Sequence, residues 1–222
     1  MTDLHSAADP RIKALESCYT SVIHDVMRAR GLRNFTLPQR IRPLQPDRVL
    51  CGPVFTIEGR MDESADAHIT LLEWTGLLSR ARAHHVWISQ PHNHTVAQMG
   101  ELSAETLHRK GVLGCVMDGG LRDAGFILRL GLPCWRVFHT PRDVVGCWLP
   151  TGVDVPIHID DVLISPGDWV HGDADGMVRI PGAVLDEVIE ASVAAMQTEN
   201  KVRSAILDGA DPQDAYKQFG KF

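Results

Sequence analysis

The sequence predicts an α/β fold with a parallel central sheet, flanking helices, a β-rich second layer and a long C-terminal helix. Three observations carry this. Between Pro53 and Phe138 short apolar, β-branched runs alternate with stretches of helical period, and strand–helix–strand alternation of this kind implies parallel pairing through right-handed crossovers. After Pro141 the apolar runs shorten and are separated by Pro-Gly-Asp and Asp-Ala-Asp-Gly turns. From about Ala183 to Leu207 one long periodic stretch runs up to Gly209, a helix stop.

Taken in order, residues 10 to 31 carry Ile12, Leu15, Tyr19, Val22, Ile23, Val26 and Met27 between Pro10 and Gly31. This is one helix, or two joined near Ser17 to Thr20 with Thr20 as N-cap. Leu32 to Leu50 has no period and three prolines (Pro38, Pro43, Pro46), so it is a surface connector. Pro53 to Gly59 reads as a strand, Ala65 to Ala83 as an amphipathic helix on Ile69, Leu72, Leu77 and Leu78, and Val86 to Ser89 as a second strand. A loop from Gln90 to Met99 leads to a helix from about Glu101 to Lys110, a strand from Val112 to Met117, a helix through Leu121, Ile127, Leu128 and Leu130, and a strand from Pro133 to Phe138. Beyond it, Val153 to Ile159, Val162 to Ile164, Asp168 to Val170 and Gly176 to Ile180 are short β runs. The part after Thr140 is too short and irregular for an independent unit, so residues 1–222 are read as a single domain, with N-terminal helices (10–31), a core (50–181) and a C-terminal helix (about 183–207).

Composition narrows the function. With 222 residues, 44% hydrophobic and 23% charged, the chain can bury a sizeable core. A formal charge of −6 and no basic run argue against nucleic acid as a partner. Five widely spaced cysteines (18, 51, 115, 134, 147), odd in number and without C-x-x-C, read as reduced thiols of a cytoplasmic protein. Cys115 and Cys134 fall in strands and read as inert core residues. No leader-like or membrane-spanning apolar stretch is present, so no membrane partner is expected.

The chain is organised around Gly114-Cys-Val-Met-Asp-Gly-Gly-Leu-Arg-Asp123: a buried strand, a turn at Asp118-Gly119-Gly120, and a helix with Arg122 and Asp123 in its first turn. In open α/β sheets ligands sit just beyond the carboxyl ends of strands. An arginine beside an aspartate there offers a planar fork for a carboxylate and a hard oxygen for a divalent cation. Gly100-Glu-Leu-Ser103 opens a helix whose free N–H groups can hold a second carboxylate. Glu101 precedes Arg122 with twenty residues between, the length of one helix plus one strand, so Glu101, Arg122 and Asp123 can converge on one pocket.

Other constellations fail on spacing. His92-Asn-His94 with Glu101 and His171 does not match a cupin's metal motif, and the loop histidines His92 and His94 are read as solvated, like the surface pair His84-His85. Aligning Gly176 with the glycine of a calcium loop puts Gly182 where the acid belongs. There is no G-x-G-x-x-G and no G-x-S-x-G. Of the lysines, only Lys110 is central, and a helix C-terminus explains it better than Schiff-base chemistry.

The block Gly-x-Val-x-Asp-Gly-x-x-Arg-Asp, followed by Gly131-Leu-Pro133 and Thr140-Pro141-Arg142, resembles the signature of the family that contains the 4-hydroxy-4-methyl-2-oxoglutarate aldolases and the RraA-type regulators of ribonuclease activity. The likeness extends over roughly Leu15 to Gly209 and includes Gly52-Pro53, Gly100-Glu-Leu102, Pro166-Gly-Asp168 and Asp175-Gly-x-Val-x-Ile-Pro181. It implies a swivelling β/β/α domain that assembles as a homotrimer or a dimer of trimers (a homohexamer), with pockets between subunits. It implies catalytic roles for Glu101, Arg122 and Asp123, and substrate binding by Gly100, Glu101, Leu102, Ser103 and Arg122. The cofactor implied is Mg²⁺ or Mn²⁺, held directly by Asp123 and through water by Glu101 and by Glu199 of a neighbouring subunit.

Regulatory members lack the acid after the arginine; Asp123 is present, so the expected activity is that of a class II pyruvate aldolase, a lyase acting on 4-hydroxy-2-oxo (di)carboxylates, with oxaloacetate decarboxylation as a side activity. The alternatives are a non-enzymatic regulator that binds a ribonuclease-type protein partner, and a metal-dependent sugar-acid dehydratase or isomerase. The chain departs from the family pattern at Arg82-Ala-His-His85 (usually Pro-Gly-Asp), in the His-rich loop from Gln90 to Met99, and at Asp160-Asp161 (usually Gly-Gly); all three border the expected pocket.

Overall fold

A computed structural model of the chain describes residues 9–221. The helices are α1 (Pro10–Glu16), α2 (Thr20–Ala29), α3 (Ala67–Arg80), α4 (Glu101–Arg109), α5 (Ala124–Leu130), α6 (Leu185–Leu207) and α7 (Pro212–Phe219). The strands are β1 (Arg42–Pro43), β2 (Leu50–Met61), β3 (Val86–Gln90), β4 (Ala97–Met99), β5 (Gly114–Met117), β6 (Gly120–Leu121), β7 (Cys134–Arg136), β8 (Phe138–His139), β9 (Trp148–Val153), β10 (Ile157–Ile159), β11 (Val162–Ile164), β12 (Trp169–Asp173) and β13 (Gly176–Ile180).

One eight-stranded sheet runs β1-β7-β5-β3-β2-β12-β13, with β9 also joined to β2. β2, β3, β5 and β7 pair in parallel, as the strand–helix alternation requires. β2 is the hinge of the architecture. Its first residues pair antiparallel with β12 (Gly52↔Val170), its middle parallel with β3 (Thr56↔Ile88), and its end antiparallel with β9 (Arg60↔Leu149) across a bulge at Glu58/Gly59. Strands from before and after Thr140 therefore share one sheet. A second, three-stranded parallel sheet, β4-β6-β8, stands at the carboxyl ends of β3, β5 and β7, and this small sheet carries the candidate site.

Helices α3 and α4 with Trp74, Leu77 and Leu107 cover one face of the main sheet, where Trp74 meets Trp87 and Trp148 edge-on at 6.0 and 5.9 Å. Helices α1, α2 and α6 pack over β12 and β13. Met99, Met117 and Leu121 are fully buried beneath the small sheet; each such side chain contributes about 1.5–3 kcal/mol of burial, which fixes the strand ends that bear the site. No described helix is long and apolar enough to cross a membrane.

Several sequence expectations change. Of the two readings of residues 10 to 31, the two-helix one holds, but Thr20 is not the N-cap: Tyr19 is, and the free Thr20 N–H is met from across the fold by the Asp173 carboxylate at 2.8 Å. The connector from Leu32 to Leu50 contains β1, because Leu44 N–H reaches the Cys134 carbonyl and zips the edge of the main sheet. The strand predicted over Pro133 to Phe138 breaks at Val137, whose N–H turns to the Gly119 carbonyl, and its two parts join different sheets. β9 lies outside the β runs read from the sequence, except for Val153; it pairs antiparallel with the end of β2 across the bulge at Glu58/Gly59. A further helix, α7, follows Gly209, started by Asp211 accepting from Gln213 and Asp214 N–H.

Candidate active site

The site is built where β6 leaves the sheet. In β6, Gly120 and Leu121 pair with Ala97 and Met99 on one side and with Phe138 and His139 on the other. Arg122 N–H then donates to the Met99 carbonyl at 2.8 Å. This pairing is why Arg122 and Asp123 do not lie in the first helical turn, as the sequence suggested. The strand continues to Leu121, and Asp123 turns the chain into α5 as its N-cap, with φ +57° and ψ +34°. A left-handed non-glycine residue is uncommon, and aspartate is among the few that tolerate it. Such conformations persist where the surroundings hold them, often at functional sites.

Here the surroundings are α4. Asp123 Oδ2 accepts the Glu101 N–H at 3.0 Å, capping a helix whose own N-cap, Gly100, has no side chain to offer. The glycine is required by the approach: a Cβ on Gly100 would lie 2.8 Å from Asp123 Oδ2 and 2.9 Å from Arg122 Nε. The other oxygen, Oδ1, has no hydrogen-bond partner among the described residues. Arg122 donates through Nη1 to Asp143 Oδ2 at 3.0 Å, and its Nε stands 3.6 Å from Asp123 Oδ2. The side chains of Arg122, Asp123 and Asp143 are each between a third and two fifths exposed. Arg122 and Asp123 border an open cleft of about 350 Å³, lined with them by Leu121, Ala124, His139, Thr140 and Pro141.

Of the residues singled out from sequence, Gly100, Glu101, Arg122 and Asp123 come together, joined through the Glu101 backbone. Glu101 itself lines a neighbouring 220 Å³ depression with Glu105, Phe126 and Arg129. Leu102 is 76% exposed at the start of α4. The Ser103 hydroxyl is engaged, accepting from the Trp74 indole N–H at 2.9 Å, which leaves its backbone N–H as the group available to a ligand. Glu199 lies on α6, paired with Lys221 at 2.6 Å, and does not line this chain's cleft. Lys110 caps α4 and donates to the Ser79 carbonyl at 2.9 Å, and is not a cleft residue. His92 faces Glu58 at 3.3 Å.

Asp143 and His139 were not found by sequence reasoning. Asp143 follows directly on the Thr140-Pro141-Arg142 signature, and only the fold brings it back to Arg122. Arg40, also missed, anchors the turn before the site. It donates to both oxygens of Asp118 at 2.7 Å and to both of Asp160 at 2.6 and 2.7 Å, and Gln90 adds a further bond to Asp118. The hydrogen bonds from Arg40 hold the Asp160 carboxyl below the usual carboxylate range. Asp160 is one of the two departures from the usual Gly-Gly, so that change carries an ion pair.

Among the described residues no group of three or more His, Cys, Asp or Glu side chains is arranged to hold a metal. A divalent cation at this site would have one direct protein ligand, Asp123. A half-exposed cleft with one open carboxylate oxygen suits Mg²⁺, which dehydrates reluctantly and keeps several waters.

Residues 20–179 match the RraA-like family, described as Aldolase/RraA. The chain belongs to that family. Among RraA-like relatives, it is 24% identical over 89% of its length, and 89% of the other's, to a protein of Halalkalibacterium halodurans named "Putative 4-hydroxy-4-methyl-2-oxoglutarate aldolase". It is 25% identical over 94% of its length to Protein DlpA of Legionella pneumophila, and spans only 33% of that longer protein. The crystal structure of RraAS2 from Streptomyces coelicolor, described as an unusual member of the RNase ES inhibitor RraA family, superposes with a TM-score of 0.76 over 90% of this chain and 98% of that one, at 24% identity. The RraA-like fold thus accounts for the mixed sheet, its flanking helices and the C-terminal helix.

Proposed function

We propose that the protein is a metal-dependent class II pyruvate aldolase, a lyase that cleaves 4-hydroxy-2-oxo (di)carboxylates and decarboxylates oxaloacetate. One observation carries the reading: Asp123, locked in a left-handed turn by α4, keeps one oxygen open beside the Arg122 guanidinium at the mouth of a 350 Å³ cleft. The aldolase name of the Halalkalibacterium relative supports it.

A divalent cation held by Asp123 supplies Lewis-acid withdrawal of electrons from the 2-oxo group. The other work falls to the chain. The N–H groups of Leu102 and Ser103, in the first turn of α4, take the C1 carboxylate. Arg122, oriented by Asp143, donates to the C2 oxygen as negative charge arrives there from the breaking C3–C4 bond. Glu101 orients the water that takes the C4 hydroxyl proton and later returns a proton to C3, releasing pyruvate. Loss of carbon dioxide from oxaloacetate places the same charge on the same oxygen, so both activities depend on the same residues.

The test is a pyruvate-coupled assay on 4-hydroxy-2-oxo acids and oxaloacetate with Mg²⁺, Mn²⁺ or EDTA. Pyruvate release should need the cation and fall by about 10²-fold or more in Asp123→Ala, while the variant stays folded, less a helix cap of about 1 kcal/mol. Undiminished turnover in that variant overturns the reading. The likeness to RraAS2 supports a second reading, a regulator that binds a ribonuclease; a pull-down with such an enzyme, positive when the assay is blank, would favour it.

A further inference from the structure

Helix α3 has no Asp, Glu, Lys or Arg along the middle of the side it turns to solvent. Its buried face is Thr70, Trp74, Leu77 and Leu78. At about 3.6 residues per turn the opposite side runs through His68, Ile69, Leu72, Thr75, Gly76 and Ser79, where Leu72 is 57% and Ile69 46% exposed. A surface helix ordinarily places charges there, as α7 does with Asp214 and Lys217, and a helix that is apolar on both sides belongs between two neighbours. Gly76 sits in mid-helix, where glycine weakens the backbone, yet a Cβ there would meet nothing within 4 Å outside the helix itself. Packing inside this chain does not ask for the glycine, and it leaves a notch one turn beyond Leu72. Glu73 and Arg80 border the stripe on one flank, both exposed and without an ion-pair partner among the described residues. Arg80 Nε reaches back along the helix to the Gly76 carbonyl at 3.4 Å, which sets its charge beside the notch.

We propose that α3 is a two-fold interface: its outer face packs antiparallel against the same face of a second copy of this chain, with Leu72 of each copy seated in the Gly76 notch of the other. Residues four apart exchange places when a helix is laid against itself in the opposite sense, so knob meets notch twice. The same reversal brings Arg80, folded back to the level of Gly76, beside Glu73 of the other copy, whereas a parallel contact sets Glu73 against Glu73. The stripe is therefore its own complement in shape and in charge, which fits a second copy better than an unrelated protein. A cyclic trimer joins two unlike patches, so it does not use this face on itself; the contact pairs two chains, or two such rings.

The experiment is sedimentation equilibrium of the full chain at micromolar concentration. The wild type should hold an even number of copies, and Leu72→Glu should halve the mass. Gly76→Leu fills the notch and should halve it too, although leucine favours the helix itself, so that loss of mass cannot come from unfolding. Glu73→Arg and Arg80→Glu each set like charges together across the contact and should raise the dissociation constant several-fold; the double variant exchanges the two signs and should bring it back. A general loss of stability would not be reversed in this way. An odd number of copies in the wild type, an unchanged mass in Leu72→Glu or Gly76→Leu, or a double variant no tighter than the singles overturns the proposal, and none of these outcomes touches the aldolase reading.

Discussion

Two arginine–carboxylate groups sit five residues apart in the same motif and are built in opposite ways. At Asp118 the carboxylate is 3% exposed, both oxygens are bonded to Arg40, and Gln90 adds another donor. At Asp123 the carboxylate is 38% exposed, one oxygen caps α4 and the other is open, and its arginine is shared with Asp143. A buried charge is tolerated only when paired and saturated. A buried carboxylate with both oxygens already bonded offers no open oxygen to a ligand. The first group is therefore scaffold and the second is available for chemistry, although both are an aspartate beside or across from an arginine.

That contrast can be tested from its strong end downward. Arg40→Ala leaves the Asp118 carboxylate buried with Gln90 as its remaining side-chain donor; unfolding free energy should fall by roughly 3 kcal/mol, at the low end for a broken buried pair because Arg40 is 34% exposed. Chemical denaturation reads this, and kcat per folded molecule should change far less than in Asp123→Ala. Equal stability would show that Asp118 is not the anchor described. Gly100→Ala should do the reverse. Its new methyl presses on Asp123 Oδ2 and Arg122 Nε, so turnover should drop about tenfold or more with a small change in melting temperature. A variant with normal turnover would mean that the corner tolerates displacement.

The smallest effect concerns another saturated group. His171 is fully buried, with Nε2–H donating to the Leu15 carbonyl at 3.2 Å and Nδ1 accepting from the Thr20 hydroxyl at 3.1 Å. Burial lowers its pKa from 6.5. The unfolded chain then binds a proton that the native state refuses, so this contribution to stability is present above about pH 6.5 and is lost as pH falls below it. Urea midpoints at about pH 7.5 and about pH 5.5 should differ less in His171→Gln than in the wild type. An unchanged pH slope would place the titration elsewhere.

The sequence showed the order of elements because periodicity is local: the helices from Ala65, Glu101 and Ala183 and the strands at Val86 and Val112 each announce their own period. It showed Arg122 and Asp123 through the glycine-marked turn before them. What it hid is long-range. Asp143 lies twenty-one positions from the Arg122 it orients, and Arg40 seventy-eight from Asp118. Neither sits in a spacing that a helix or hairpin would impose. β6 and β8, two residues each, are too short to show a period, and their pairing moved Asp123 from a first-turn acid to a left-handed cap. His139 had no signal beyond its residue type, and its partner Arg136 lies three residues back across a strand break.

The triple pairing of β2 also bears on synthesis at the ribosome. The stretch from Leu50 to Pro53 finds its antiparallel neighbour only in Trp169 to Gly172, more than a hundred residues later. While the chain is being made, that edge stays open to any passing strand. Truncation after Thr140 would keep Arg122 and Asp123 yet leave the edge bare, so the fragment should aggregate instead of yielding a minimal enzyme.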